Sequence, residues 1–235
     1  MSFWKPGTTP IPRLLNANED ERDEGALFFN TVTNIPIEQQ RLQLPIAKHR
    51  LQILYAVETF RVVCIVGATG CGKSTQVPMF LMESGWTGNR SSDRFYKIIC
   101  TQPRRIAAIT LAKRVAMECG DSNVGQRVGY AVRFDQCFDE QSTEIKYVTD
   151  GFLIREAMED PLLSKYSVVM VDEAHERSLN TDVVLGILKK VRVKRPNLRI
   201  IICSATIDAE IFLDYFHTNS ATALQSIRPS SDSAR

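Results

Sequence analysis

The sequence predicts a doubly wound α/β layer, a mostly parallel sheet with helices on both faces. Short runs that are apolar at nearly every position recur at 62–66, 97–100, 128–132, 145–148, 168–171 and 199–203, as strands covered on both faces require. Stretches with helical periodicity lie between them, and this alternation generates parallel strands joined by crossover helices. The chain has 235 residues, 44% hydrophobic and 24% charged, enough for one sizeable core.

Each element has its own justification. Residues 1–35 combine Pro, Gly, Thr and Asn with the acidic run NEDERDE at 18–24, a composition that predicts a disordered tail. From Pro36 to Phe60 the pattern turns helical. Leu44-Pro45 opens a helix, with proline at a tolerated first-turn position, and Leu51, Leu54, Tyr55 and Val57 supply an apolar stripe. Strand VVCIV (62–66) leads to a helix near 74–84, which Pro78 is predicted to bend. KIIC (97–100) precedes a helix at 105–118, and VGYAV (128–132) and IKYV (145–148) precede one at 151–159. VVMV (168–171) precedes a helix at 182–193 behind Thr181-Asp182, and RIIIC (199–203) one at 208–216 behind Asp208, both good N-cap chemistry. The basic run KKVRVKR (189–195) ends a helix, where cations offset the dipole and stay solvated. After His217 the pattern stops, and the Ser- and Ala-rich residues 218–235 are predicted to be unstructured.

Composition narrows the function classes. The formal net charge is +2, so no global field argues for nucleic acid, and any such partner must be read from local clusters. Six scattered cysteines without a CxxC pair, and three histidines, predict reduced thiols rather than a disulfide framework or a zinc site. The start MSFWKPGTTP has no apolar h-region, and no apolar run approaches a membrane span.

Two motifs carry chemistry. Gly67-Ala68-Thr69-Gly70-Cys71-Gly72-Lys73-Ser74 fits G-x-x-x-x-G-K-[ST] between a strand and a helix. Glycines let successive backbone N–H groups turn toward phosphate oxygens, and the helix that follows adds the positive end of its dipole. Lys73 would reach the β- and γ-phosphates of a nucleotide, Ser74 would ligate Mg²⁺, and Thr75 would sit on the α-phosphate side. The second motif, Asp172-Glu173-Ala174-His175, places two acids at the end of an apolar strand, the edge at which open α/β sheets bind ligands. One carboxylate there can hold Mg²⁺ through water while its neighbour orients an attacking water.

Together, VDEAHERS (171–178) and GATGCGKSTQVP (67–78) resemble the DEAH-box RNA helicases of superfamily 2. Further motifs follow in that family's order: TQPRRIAA (101–108), GYAVRFD (129–135), TDGFLIRE (149–156) and SAT (204–206). The similarity covers about residues 36–217 and implies a RecA-like P-loop NTPase domain. The opening FWKPGT, with the wording of the core, is similar to a spliceosome-associated member, which implies pre-mRNA splicing, spliceosomal protein partners and a nuclear location.

The resemblance implies residue roles. Gly67, Ala68, Thr69, Gly70, Cys71, Gly72, Lys73, Ser74 and Thr75 surround the triphosphate, and Arg114 stacks on the base. Asp172 holds Mg²⁺ and Glu173 activates the hydrolytic water. His175 touches a facing lobe, and Ser204 and Thr206 couple the ATP state to the RNA grip. Arg104, Arg105, Arg133, Thr149 and Asp150 face single-stranded RNA through its phosphates. Cys71 stands where serine is common and Ala68 where glutamate is common, at positions whose side chains phosphate does not need.

The family works with two RecA-like lobes, the second of which carries an arginine finger in a QRxGRAGR signature. That signature does not occur in the 235 residues. The expectation is therefore an ATP-binding lobe with little turnover alone, and the change from a folded core to residues 218–235 suggests a truncated product, an alternative splice form or an incomplete gene model. A non-hydrolysing module that holds nucleotide or partners is the competing reading. A GTPase would need an NKxD base-reading motif, which the sequence lacks.

Overall fold

A computed structural model describes residues 36–89, 95–205, 209–216 and 224–227. The expected tail at 1–35, the Asp208 cap, Thr206 and His217 lie outside these residues.

The alternation is present. In chain order it runs α1 (Ile37–Gln43), a 3-10 turn (Pro45–His49), α2 (Arg50–Thr59), β1 (Val62–Val66), α3 (Lys73–Glu83), β2 (Gly88–Asn89), β3 (Phe95–Gln102), α4 (Arg105–Glu118), β4 (Val128–Val132), β5 (Asp135–Cys137), β6 (Ile145–Thr149), α5 (Asp150–Glu159), β7 (Tyr166–Val171), a second 3-10 turn (Ala174–Glu176), α6 (Leu179–Lys194), β8 (Arg199–Ser204), α7 (Ala209–Phe216) and β9 (Leu224–Ile227). Among the described residues the sheet order is β5-β4-β6-β3-β7-β8-β1-β9, with β2 beside β3. β4-β6-β3-β7-β8-β1-β9 are parallel, while β5 and β2 pair antiparallel at β4 and β3.

Alternate strand residues feed two cores. Val63, Ile65, Ile98, Cys100, Tyr147 and Met170 pack under α2, α3 and α4. Val62, Cys64, Ile99, Val148, Val169 and Ile202 pack under α5, α6 and α7. Burial on both faces explains why these strands read as unbroken apolar runs. The six cysteines are free thiols, and Cys64, Cys71, Cys100 and Cys203 are buried.

The structure corrects several local expectations. Of the expected stripe, Val57 is buried and Leu54 packs against the core, but Leu51 and Tyr55 point outward at 78% and 67% exposure, and α2 buries Ile53 and Ala56 in their place. The buried face is rotated from the expected one, because Ile53, Ala56 and Val57 follow the i, i+3, i+4 spacing of one helix face. α6 begins earlier than expected, because Ser178 caps it by accepting from Thr181 N. The run at 189–195 is not simply solvated. Arg192 is buried against the Phe216 ring, Lys189 lies over the Tyr215 ring, and Arg195 donates to the carbonyls of Leu162 and Leu163. Residues 218–235 are not wholly without structure: Leu224–Ile227 form β9, paired parallel with β1. Edge pairing with β1 supplies backbone partners that composition does not reveal.

Candidate active site

The parallel strands end along one edge of the sheet, and the predicted residues gather there. β1 runs into the glycine loop, β7 into Asp172, β8 into Ser204, β3 into Gln102 and β6 into Thr149. The loop turns through Gly70 at φ 82° and Gly72 at φ 99°, a region open to glycine at little cost. Gly72 also lies beneath the N-terminal segment: a Cβ there would stand 3.0 Å from Ile46 and 3.0 Å from Leu44. Ile46 N donates to Cys71 O at 3.1 Å, and Gly67 N to Ser204 O at 3.1 Å. The loop is thus fastened on one side to Ile46 and on the other to β8.

Lys73 is buried, its ammonium donating to Gly67 O at 2.5 Å and Ala68 O at 3.1 Å. Thr75 Oγ1 donates to Gly72 O at 3.3 Å. Thr69 and Ser74 line a cleft of about 470 Å³ with Gln102, Arg104, Glu173 and His175. Opposite the loop, Asp172 is fully buried, and its two oxygens accept from Gln102 Nε2 at 2.6 Å and Glu173 N at 2.9 Å. Glu173 and Arg177 take left-handed φ of 51° and 48° on either side of the Ala174–Glu176 turn. Such backbone is costly for non-glycine residues and is typical of functional sites. It turns Glu173 out into the cleft. Burial, and then the Asp172 charge, raise the Glu173 carboxyl above its ordinary value, while His175 and Lys73 pull the other way. A raised carboxylate is a better base toward water.

His175 links two motifs. Its Nδ1 accepts from Ala205 N at 3.2 Å, and its Nε2 stands 3.4 Å from Glu173 Oε2. With Nδ1 accepting, the neutral ring carries its proton on Nε2, facing Glu173. Sequence reasoning connected His175 to a facing lobe. Within this chain it joins Glu173 to the loop that follows β8. Ser204 is buried and meets the glycine loop through its carbonyl.

Arg114 sits on α4 with its edges engaged, Nε with Glu118 at 2.7 Å and Nη2 with Gln40 at 3.3 Å. Glu118, its side chain 1% exposed, also accepts from Gln76 at 2.7 Å and lies 3.9 Å from Arg41. α1, α3 and α4 are joined by this network, which no sequence motif announces.

The expected RNA-facing residues divide. Arg105, Arg133, Thr149 and Asp150 line one cleft of about 350 Å³, together with Arg155, Ser178 and Asn180, which sequence reasoning missed. Arg104 is not among them. It is exposed on the glycine-loop side and pairs with Glu176 at 3.1 Å. Asp150 requires a correction as an RNA contact. It is 2% exposed and accepts from Thr181 Oγ1 at 2.6 Å, so it braces α5 against α6, and a carboxylate would in any case repel phosphate. Beside this cleft Phe134 stands 88% exposed at φ 66°, with the Arg133 guanidinium 4.7 Å from its ring.

A glycine loop, an acidic strand end and Ser204 at the end of β8 come together at the carboxyl edge of a parallel sheet, the arrangement of a P-loop nucleotide-binding lobe. The DEAD/DEAH box helicase family model matches residues 46–212, and the chain belongs to that family, with its RecA-like α/β fold. It is 49% identical over 222 residues to the human protein named "Probable ATP-dependent RNA helicase DHX35", covering 93% of this chain and 31% of that one. It is 54% identical over 190 residues to a Caenorhabditis elegans DHX35 homolog, covering 81% of this chain and 25% of the relative. Over 188 residues it is 45% identical to a Schizosaccharomyces pombe protein whose name describes a pre-mRNA-splicing factor ATP-dependent RNA helicase, covering 80% of this chain and 28% of that one. The chain therefore spans between a quarter and a third of the length of these curated relatives.

Proposed function

We propose that this chain is the nucleotide-binding lobe of an RNA-dependent ATPase that remodels RNA, acting in pre-mRNA splicing in the nucleus. One observation carries the reading. The turn between β3 and α4 lines both clefts, with Gln102 and Arg104 on the glycine-loop side and Arg105 on the other, and Pro103 shared. A nucleotide at the loop and a strand of RNA beside it would press on the same four residues.

In this reading the loop N–H groups and Lys73 take the triphosphate, exchanging the lysine's carbonyl partners for phosphate oxygens. Arg114, held by its edges, keeps a face for stacking on the base. Glu173, turned outward and raised, takes a proton from water. His175 keeps Glu173 in register with Ala205, so a change at the γ-phosphate reaches the loop after β8. Arg105, Arg133 and Thr149 meet RNA phosphates, and Phe134 offers a ring to an unstacked base, recognition that is tolerant of sequence.

The donors fit Mg²⁺. They are hard oxygens, the Ser74 hydroxyl and the carboxylates of Asp172 and Glu173. Among the described residues no group of three His, Cys, Asp or Glu could hold an ion by itself. Mg²⁺ typically takes few protein ligands and keeps waters and substrate phosphates, so it would arrive with the nucleotide. Bound there, it would neutralise charge on the β- and γ-phosphates.

The splicing assignment is supported by the name of the fission-yeast relative; the nuclear location and the spliceosomal protein partners follow from a role in splicing. No helix among the described residues is long and apolar enough to cross a membrane.

The test is ATP turnover of the 235-residue chain with Mg²⁺, with and without single-stranded RNA, beside Glu173→Gln. An arginine finger adds about 10³–10⁵ in rate in related enzymes. The expected result is nucleotide binding by both proteins, slow turnover in the parent and only a small residual rate in the variant. Equal turnover in both would remove Glu173 as the base. Fast RNA-stimulated turnover of the parent would show that the lobe needs no outside arginine.

A further inference from the structure

In an α-helix the carbonyl of residue i accepts from the N–H of residue i+4. For Ser74, the second residue of α3, that partner would be residue 78, which is proline. Proline has no N–H, and its ring pushes against the carbonyl four residues earlier. The Ser74 carbonyl is therefore left without its helical donor one residue after Lys73, in the turn that presents Ser74 to the nucleotide cleft.

The structure fills this gap from across the sheet. Tyr147 Oη donates to Ser74 O at 2.7 Å. Tyr147 lies on β6, beside Cys100 of β3 and Tyr130 of β4, with 0% exposure. Its ring belongs to the core beneath α3 and α4. Phenylalanine would fill that core equally well, so core packing alone does not require the hydroxyl. Burial, chiefly, pushes the phenol well above its ordinary range, so it stays protonated and donates.

We propose that Tyr147 is a positioning residue for the nucleotide loop: its hydroxyl replaces the backbone donor that Pro78 lacks, and so fixes the Ser74 peptide and side chain where a metal-bound phosphate needs them. The proposal rests on the reading that Ser74 meets Mg²⁺.

The geometry sets its own rescue experiment. Tyr147→Phe removes the donor and keeps the ring. Pro78→Ala restores a backbone N–H to the same carbonyl. The measurement is the Kd of a fluorescent N-methylanthraniloyl-ADP for the 235-residue chain, in Mg²⁺ and in EDTA. It is made for the parent, Tyr147→Phe, Pro78→Ala, the double variant and Ser74→Ala, with thermal melts to verify folding. The expected result is that Tyr147→Phe weakens binding in Mg²⁺ by about three- to tenfold, the worth of one such hydrogen bond. Binding in EDTA should change by less than about twofold, and the double variant should return toward the parent. Two results would overturn the proposal: parental affinity of Tyr147→Phe in Mg²⁺, or an equal weakening in both media that Pro78→Ala does not rescue. If Ser74→Ala leaves the Mg²⁺ dependence unchanged, the assignment of Ser74 fails and the proposal falls with it, a result distinct from failure at Tyr147.

Discussion

Gln102 donates through Nε2 to Asp172 Oδ2 at 2.6 Å, with Gln102 at 2% exposure and Asp172 fully buried. The two side chains stand at the ends of neighbouring strands, β3 and β7. A carboxylate removed from water needs its donors, and among the described residues the other oxygen accepts from the Glu173 N–H. Gln102→Leu should therefore cost about 1–3 kcal/mol. In a domain of this size each kcal/mol lowers Tm by about 2–4 °C. The variant should also weaken Mg²⁺-nucleotide binding, because the freed carboxylate can rotate. Thermal melts and a nucleotide titration verify both, and an unchanged Tm would deny this hydrogen bond its role.

The Glu173–His175–Ala205 chain predicts non-additivity. His175→Ala leaves Ala205 N and Glu173 without their link, and should lower turnover of the assembled helicase with little effect on nucleotide affinity. In Glu173→Gln, adding His175→Ala should change turnover no further, since residues that act as a unit are not additive. Single-turnover hydrolysis of the double variant is the measurement, and an independent further decrease would place His175 in another role.

The divided arginines predict different salt responses. Arg105→Ala and Arg133→Ala should each weaken single-stranded RNA binding and flatten the salt slope by about 0.7 for each phosphate no longer neutralised. Arg104→Ala, at the glycine-loop cleft, should leave that slope as it is. Asp150→Ala should lower Tm and leave the slope unchanged, because its carboxylate is engaged by Thr181. Filter binding across a salt series separates the four.

Glu118 braces Arg114 from within the α1–α3–α4 network. Breaking a fully buried ion pair costs about 3–5 kcal/mol. The arginine side chains here are 24% and 18% exposed, so a smaller cost of about 2 kcal/mol is expected of Glu118→Ala once water screening is allowed for. If Arg114 stacks on the base, the variant should weaken ADP binding and leave pyrophosphate binding intact. Equal weakening of both would show that Arg114 does not meet the base.

The main parallel strands, their alternation with helices and the two motifs were legible because their signals are local. An apolar run such as VVCIV or VVMV reports burial on both faces, and a glycine-rich turn between strand and helix reports a phosphate cradle. Contacts between distant residues leave no such mark. Tyr147 lies 73 positions from Ser74 and Gln102 lies 70 from Asp172. Pro78 signals only that some donor is required, and the fold decides which. In α2 the helical period was right and Leu54 and Val57 do face the core, while the outward turn of Leu51 and Tyr55 was decided by packing, which takes Ile53 and Ala56 in their place. Arg104 and Arg105 are adjacent in sequence, yet Arg104 is an extended cap residue at φ −115° and Arg105 opens the helix. That change of backbone sends the two to different clefts. β9 escaped notice because an edge strand takes its partners from β1 rather than from its own pattern.

A nucleotide site built on the loop between β1 and α3 is tested most directly by equilibrium binding of fluorescent ADP with Mg²⁺ to the parent chain, Lys73→Ala and Arg105→Ala. The parent should saturate in the micromolar range. Lys73→Ala should bind about tenfold or more weakly, because a charge-assisted hydrogen bond to phosphate is removed, and Arg105→Ala should keep the parental affinity. Unchanged binding in Lys73→Ala, or weakening confined to Arg105→Ala, would contradict a site on that loop.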